Sequence, residues 1–186
     1  QAQRQHDERG LVADAMTEVE ARLHDALRLD PRLARAHLLL CEIHLANYFV
    51  GYDPSAVRLR RAESALAAAE SLGAEATELM RMRGFFLYWG RRDNAAAARA
   101  FEHAVRAMPN SADAIYNLAL VHRRAGRWRR ALAGFARAQE LDGRNPRIAR
   151  ETGDTLEMMR DYPAALKGFR VQQVLSAADT ALQSLV

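Results

Sequence analysis

The chain has 186 residues, of which 27% are charged, and its formal net charge is +4. This length suits one or two compact domains, and so small a net charge does not by itself indicate a nucleic-acid-binding protein. A single cysteine, Cys41, excludes an internal disulfide, and no apolar run approaches the length of a membrane span.

Composition favours helix, because the chain is rich in alanine and arginine and poor in β-branched residues. Arginine supplies 26 of the 27 basic residues, a bias that indicates a bacterial genome rich in G and C. The first residues lack the apolar core of a signal peptide. This favours the cytoplasm as the compartment and leaves the periplasm open.

The chain opens with a polar segment and then a predicted leading helix at residues 11–29. Val12, Val19 and Leu23 lie on one stripe of this helix, at the spacing that an amphipathic helix requires. The helix is expected to end at Asp30, because the residue before a proline avoids the helical region.

A first helix hairpin is predicted at about residues 33–73. Its two helices cover 33–49 and 54–72 in this interpretation. Asp53 is the expected N-cap of the second helix and Pro54 its first residue, because both residue types are favoured at those positions.

This first hairpin is expected to be longer than the later ones. The spacing from Val19 to Ala62 exceeds the later period by nine residues, and the excess falls between the two helices. The tip carries three aromatic residues, Tyr48, Phe49 and Tyr52. They either pack on one another or form a contact knob for a partner.

Three further hairpins are predicted at about 77–110, 112–145 and 146–177, and a tail at 178–186 is expected to stay helical. Their helices are predicted at 78–88, 95–108, 113–124, 128–141, 147–159 and from 163 onward.

Acidic and amide residues mark the expected N-caps of two of these helices. Asp93 or Asn94 precedes one, and Asp161 precedes the last. One extra residue near Trp89 and Arg91 is expected to lengthen the turn between two helices.

A small-large-small triplet recurs along the chain at nearly constant spacing. Ala131, Phe135 and Ala138 share one helical face and follow a turn at Gly126. Matching residues lie 34 positions away on either side. Upstream, the copy is Ala97, Phe101 and Ala104, and downstream Gly153, Ala165 and Phe169 lie 34 residues beyond Ala119, Ala131 and Phe135. Further back, the triplet recurs as Ala62, Leu66 and Ala69, then as Val19, Leu23 and Ala26.

This pattern resembles the tetratricopeptide repeat family, whose unit is a helix-turn-helix of 34 residues. The resemblance implies an all-α fold, a right-handed α-solenoid of antiparallel helix hairpins. About four repeats and a leading helix would form a single array over residues 1–186. It also implies a non-enzymatic scaffold, because members of this family hold extended peptides or partner helices in a concave groove lined by the first helices.

Repeat position places ten residues on the groove face that the resemblance implies. They are Arg35, Arg81, Phe85, Tyr88, Tyr116, Asn117, Leu120, Arg147, Arg150 and Asp154. Arginine and tyrosine are typical of binding hot spots, and arginine pairs with carboxylates, so a protein or peptide partner with acidic groups would suit this face. The alternative is a solvated inner face. We expect Arg81, Tyr116, Asn117 and Arg150 to be at least partly exposed.

Chaperone-binding members of the family clamp a carboxylate with lysine, asparagine and arginine side chains. Asn117 matches the central asparagine, and Arg81 and Arg147 stand where lysines would be. Phe85 and Glu151 depart from the pattern, and a negative Glu151 would repel a carboxylate. The complete clamp is therefore not expected.

The sequence contains no phosphate loop, nucleophile elbow or metalloprotease motif, so no catalytic or cofactor site is predicted. His37, Cys41 and His44 lie on one helical face with the spacing of zinc ligands. The same positions form the packing face of the repeat and no fourth ligand is evident. We therefore predict that the three residues pack among apolar side chains without a metal.

Arginines cluster near the predicted hairpin turns, where the repeat would align them along one edge. The cluster comprises Arg58, Arg60, Arg61, Arg91, Arg92, Arg123, Arg124, Arg127, Arg129 and Arg130. Such an edge gives an alternative function, the binding of nucleic acid or of an anionic surface. Nucleic acid is the less favoured partner, because no helix motif for reading a DNA groove is present. A further alternative is a regulatory or sensor segment of a larger signalling enzyme.

The last helix carries an apolar stripe that no later repeat covers: Val171, Val174, Leu175, Ala178, Leu182 and Leu185. Exposed stripes of this kind mark interfaces. A second copy of the chain would cover it in a homodimer formed through the C-terminal helix. Folding back on the last hairpin or further repeats are the alternatives.

Overall fold

The structure is a computed structural model that describes the backbone of residues 2–183 and the side chains of residues 12–178. All regular structure in this part of the chain is helical. The helices are α1 (Ala2–Leu29), α2 (Ala34–Val50), α3 (Ala56–Ser71), α4 (Ala76–Phe85) with a π-helical turn (Phe86–Gly90), α5 (Asn94–Ala107), α6 (Ala112–Arg124), α7 (Trp128–Leu141), α8 (Pro146–Met158) and α9 (Tyr162–Gln183).

The helices pack as hairpins of consecutive elements, most extensively α2 with α3, α6 with α7 and α8 with α9. The predicted fold class, an all-α solenoid of antiparallel helix hairpins, is confirmed. The chain forms two compact units, Gln1–Ala97 and Ala98–Val186, called unit 1 and unit 2 here. The single array over residues 1–186 stays a prediction.

Helix α1 is longer than predicted, because it begins at Ala2 rather than near residue 11. Among the described side chains of this helix none is fully buried. One of its polar anchors is Glu20, whose carboxylate lies 2.6 Å from the guanidinium of Arg58 on α3. A cluster of charges therefore contributes to the attachment of this helix.

Side chains cap most of the described helix N-termini, and two of these caps are the ones that the sequence predicts. Asp93 accepts the N–H of Ala96 at 2.8 Å, and Asp161 accepts the N–H of Ala164 at 3.2 Å, so both predicted caps are confirmed. Each carboxylate satisfies a backbone donor that has no partner within its own helix.

The predicted cap of α3 is wrong. Ser55, rather than Asp53, accepts the N–H of Arg58, at 3.2 Å, and the helix begins at Ala56. Asp53 lies two residues before Ser55. Its carboxylate accepts the N–H of Ser55 at 3.2 Å and the Nε–H of Arg58 at 2.9 Å. Asp53 and Ser55 are both suitable N-cap residues, and the one nearer the helix, Ser55, forms the cap.

The extra residue predicted in the turn near Trp89 lies inside the helix instead. The N–H of Arg91 donates to the carbonyl of Phe86 at 2.9 Å, which is an i to i−5 bond of a π-helical turn. The helix thereby absorbs one residue without lengthening the loop that follows.

In unit 2 the large members of the repeat triplets form the core, since Phe101 and Phe135 are fully buried. Small residues allow close contact between α8 and α9. A Cβ placed on Gly153 would lie 2.7 Å from the ring of Phe169, and one on Gly168 would lie 3.0 Å from the Cα of Gly153. Helices α8 and α9 therefore depend on glycine at both positions.

The C-terminal stripe is described only in part. Val171 and Val174 are 48% and 68% exposed. Leu182 and Leu185 lie outside the residues whose side chains are described, so the predicted dimer stays a prediction.

Candidate functional site

Helices α2 and α4 of unit 1 present matching rows of side chains, which we call the α2–α4 face. Spacings of three and four residues put each row on one side of its helix. The α2 row is Arg35, Leu39, Glu42 and Phe49, and the α4 row is Glu78, Arg81, Phe85 and Trp89.

Two ion pairs of opposite polarity join the rows. Arg35 contacts Glu78 at 2.9 Å, and Arg81 contacts Glu42 at 3.2 Å. Each helix thus contributes one arginine and one glutamate, and these four charges cancel. Pairs this exposed contribute about 0–1 kcal/mol each, so a partner's charges can replace them at little cost.

Stacked aromatic rings close one end of the α2–α4 face. The ring centroid of Trp89 lies 4.3 Å from that of Phe85 and 5.6 Å from that of Phe49, with nearly parallel planes. The guanidinium of Arg81 lies 5.7 Å from the Phe85 centroid. Tyr88 is buried and packs on Phe49 at 5.7 Å. The tip aromatic Phe49 therefore packs against the π-helical turn that follows α4.

Four of the ten predicted groove residues belong to unit 1, and the other six belong to unit 2. Arg147 extends over the ring of Tyr116, with its guanidinium 5.4 Å from the ring centroid. Arg150 lies 3.8 Å from Asp154, one turn later on α8. The clamp position Glu151 is engaged by Arg123 at 2.5 Å.

The prediction of exposure is wrong for two of the four residues for which it was made. Tyr116 and Asn117 are only 6% and 5% exposed, whereas Arg150 is exposed and Arg81 half-buried. Burial raises the pKa of the Tyr116 hydroxyl, and the nearby Glu151 carboxylate adds to the effect. Leu120 is buried too. In unit 2 the candidates that remain accessible are charged side chains on α8.

Sequence reasoning missed Trp89, Leu39 and the two glutamates of the α2–α4 face. Trp89 was assigned to a turn, because the extra residue was placed there rather than inside the helix. Its spacing of four from Phe85 was the available signal.

The residues with zinc-ligand spacing do not share one environment. Cys41 is fully buried, and burial raises the pKa of its thiol to about 12, so it does not supply a thiolate. The prediction of purely apolar packing is wrong for His44. This side chain is buried, but its Nδ1 accepts a hydrogen bond from Arg58 at 3.0 Å and lies 3.7 Å from Glu20. His37 is half-buried, with Nε2 3.1 Å from the Pro31 carbonyl oxygen.

Among residues 12–178, no group of three or more histidine, cysteine and acidic side chains is arranged to hold a metal ion. None of the helices within residues 2–183 combines the length and the apolar character that crossing a membrane requires.

The predicted arginine edge is interrupted by ion pairs. Arg58 is held by Glu20 and Asp53, Arg91 by Glu63, and Arg123 by Glu151. Arg127, Arg129 and Arg130 are exposed. The predicted edge therefore combines ion-paired arginines with exposed ones.

Successive antiparallel hairpins with small-large-small second helices define a helical-repeat protein of the α-solenoid class. Residues 88–150 match the sequence profile of the tetratricopeptide repeat family, as the repeat pattern of this part of the chain predicts. No curated protein sequence matches the chain.

Several solved structures have the same fold. The type IV pilus biogenesis factor PilW aligns with a TM-score of 0.63 at 20% identity, over 90% of this chain and 74% of that one. MamA aligns with a TM-score of 0.57 at 17% identity, over 93% and 95%. YrrB, a TPR protein with an unusual peptide-binding site, aligns with a TM-score of 0.54 at 20% identity, over 88% and 79%. At these sequence identities the comparisons show a shared fold only.

Proposed function

We propose that the chain is a non-enzymatic protein-interaction scaffold that binds a peptide or helix of a partner on the α2–α4 face. The observation that carries the proposal is the combination of the stacked rings of Phe49, Phe85 and Trp89 with two exchangeable ion pairs. The peptide-binding site named for YrrB, which shares the fold, supports a role of this class.

The stacked rings suit an anchoring role. Aromatic side chains that are already ordered lose little conformational entropy on binding, and they dominate the energy of protein interfaces. Phe49 and Trp89 are half-buried. Leu39 is 39% exposed and lies on the same row of α2, so an apolar side chain of the partner has a place to pack.

The charges on the face define the partner further. Each helix offers one arginine and one glutamate. A partner that carries both positive and negative charges along one side therefore fits this face better than a purely acidic partner. An amphipathic segment with an apolar or aromatic anchor and flanking charges of both signs is the ligand that this face supports.

Peptides selected on the wild-type chain from a random displayed library test the proposal. Leu39→Asp places a charge in the apolar part of the face, and Arg81→Glu breaks one ion pair and sets like charges together. We expect each to weaken binding of the selected peptides by about tenfold or more, measured by calorimetry.

Arg83→Glu is the matched control. Arg83 is exposed on the same helix two residues away, and it pairs with Glu70 outside the face. Its reversal should leave affinity unchanged within about threefold. Equal affinity for the wild type, Leu39→Asp and Arg81→Glu chains would contradict the proposal.

A further inference from the structure

Unit 2 contains a basic pocket where the α6–α7 turn meets the end of α8. The pocket has a volume of about 360 Å³. We call it the turn pocket, and its lining residues are Gly126, Arg127, Trp128, Arg129, Arg130 and Met159. It is separate from the rows of side chains that form the α2–α4 face.

The turn pocket carries a positive charge that the described part of the chain does not neutralise. Arg127, Arg129 and Arg130 are exposed, and no described acidic side chain forms an ion pair with them. Asp161, in the neighbouring turn, caps α9 and forms no ion pair with these three arginines. Three cationic side chains thus converge on a space that an anion could occupy.

The arginines act on a neighbouring buried side chain, and a helix end adds to their positive charge. The pKa of His122 is lowered by its burial and then by the charges of Arg127 and Arg130. Helix α7 begins at Trp128 with no side-chain cap and no acidic residue in its first turn, so its positive end adds to the arginines.

Apolar and aromatic side chains lie beside these charges. Met159 is 42% exposed and lines the pocket, and Tyr162, three residues later, is 60% exposed. Trp128 is half-buried, and no other described side chain or backbone carbonyl accepts its indole N–H. Tryptophan and tyrosine are enriched where a protein meets the headgroup region of a membrane.

We propose that the turn pocket and Tyr162 form a docking surface for an anionic lipid membrane. The phosphate groups of lipid headgroups bind Arg127, Arg129 and Arg130, and the side chains of Trp128, Met159 and Tyr162 enter the interface beside them. A nucleic acid would satisfy the arginines but would leave Met159 exposed, so lipid fits the whole surface better. The scaffold would then hold its partner at a membrane surface, which goes beyond the proposed scaffold role.

Co-sedimentation with phosphatidylcholine vesicles, with and without phosphatidylglycerol, tests this proposal. The wild-type chain should bind the anionic vesicles and not the neutral ones. Each arginine near an anionic surface contributes about a fivefold increase in partitioning, so the triple variant Arg127→Glu, Arg129→Glu, Arg130→Glu should bind roughly 100-fold less.

A second triple variant separates this surface from the overall charge of the protein. Arg60→Glu, Arg61→Glu, Arg92→Glu reverses three exposed arginines of unit 1 and changes the net charge by the same amount. It should lose less than about fivefold in binding. Far-UV circular dichroism checks that both variants keep their helices, and Arg→Gln versions of each triple replace any variant that does not.

Tryptophan fluorescence reports which surface touches the lipid. A blue shift on adding anionic vesicles should persist in Trp89→Phe and disappear in Trp128→Phe, because only Trp128 would enter the interface. The proposal is overturned if anionic vesicles bind no better than neutral ones or if both triple variants lose binding equally. It is also overturned if the shift survives in Trp128→Phe, or if a short oligouridylate binds more tightly than the vesicles and displaces them.

Discussion

Arg58 is the centre of a charged cluster that the residue pattern alone did not reveal. Its guanidinium contacts Glu20 on α1 at 2.6 Å, Asp53 at 2.9 Å and the Nδ1 of His44 on α2 at 3.0 Å. Because the arginine donates to Nδ1, His44 must be neutral there, with its proton on Nε2. Replacing Arg58 would remove the partner that Glu20, Asp53 and His44 share, and the Glu20 and His44 side chains are largely shielded from water.

His44 gives the first prediction for the chain as a folded protein. Burial, the largest effect, together with the charges of Arg58 and Arg61, lowers the pKa of His44 from 6.5 to about 4. The unfolded chain therefore binds a proton more readily than the folded one between these values. Stability is fully present above about pH 6.5 and is lost as the pH falls towards 4, by roughly 3 kcal/mol in total.

Chemical denaturation across this pH range measures the effect, with His44→Gln as the reference because glutamine does not titrate. The free energy of unfolding should fall more steeply with acid in the wild type than in the variant. Identical slopes would show that His44 is protonated equally in both states.

The contact between α8 and α9 gives a prediction at the level of helices. A Cβ on Gly168 would meet only backbone atoms, Gly153 Cα at 3.0 Å, Gly153 N at 3.1 Å and the Ala149 carbonyl at 3.3 Å. Backbone cannot rotate away, so Gly168→Val must push the two helices apart. We expect a loss of about 1–3 kcal/mol in the free energy of unfolding.

Gly143→Ala is the control for this substitution, because its nearest neighbour would be the Gln139 carbonyl at an ordinary 3.6 Å. Thermal melts of both variants make the comparison. A Gly168→Val chain as stable as the wild type would mean that the helices can separate at no cost.

The sequence predicted the helices well and the ends of helices less well, for a physical reason. Periodic burial extends over a whole helix, so α7 was predicted at its observed bounds, Trp128–Leu141. A cap depends on one hydrogen bond, and Asp53 and Ser55, two residues apart, both offered an acceptor. Choosing between them requires the position of Arg58, which belongs to the tertiary structure.

Candidate site residues were harder to predict than the fold, because exposure depends on neighbours. Repeat position placed Tyr116 and Arg81 on equivalent faces, yet Tyr116 is buried with Arg147 over its ring. Glu42 and Glu78 were not singled out, since a pairing between helices cannot be read from spacing within one helix.

For the whole molecule we predict a homodimer through the C-terminal helix. Val171 and Val174 are exposed on α9, and a second copy of the same stripe would remove both from water. Light scattering should give twice the chain mass of 20.8 kDa for the wild type and the single mass for a Val171→Glu, Val174→Glu variant.

A Leu166→Glu variant serves as the comparison, because Leu166 is exposed on the same helix but belongs to no part of the stripe. It should remain dimeric. The same monomeric mass for all three chains would leave the stripe without a role in assembly.

The π-helical turn at Phe86–Gly90 has a consequence for how such a chain can change over time. Ala97 follows Ala62 by 35 residues, whereas Ala131 follows Ala97 by 34, so the interval that contains the π-helical turn is one residue longer. Within a helix, an insertion rotates everything after it by about 100°, which would turn later core residues towards water. Here the wider π-helical turn holds the extra residue, and the helix ends at Gly90 directly after it. A repetitive chain can in this way acquire one distinctive aromatic site while the phase of every later repeat is preserved.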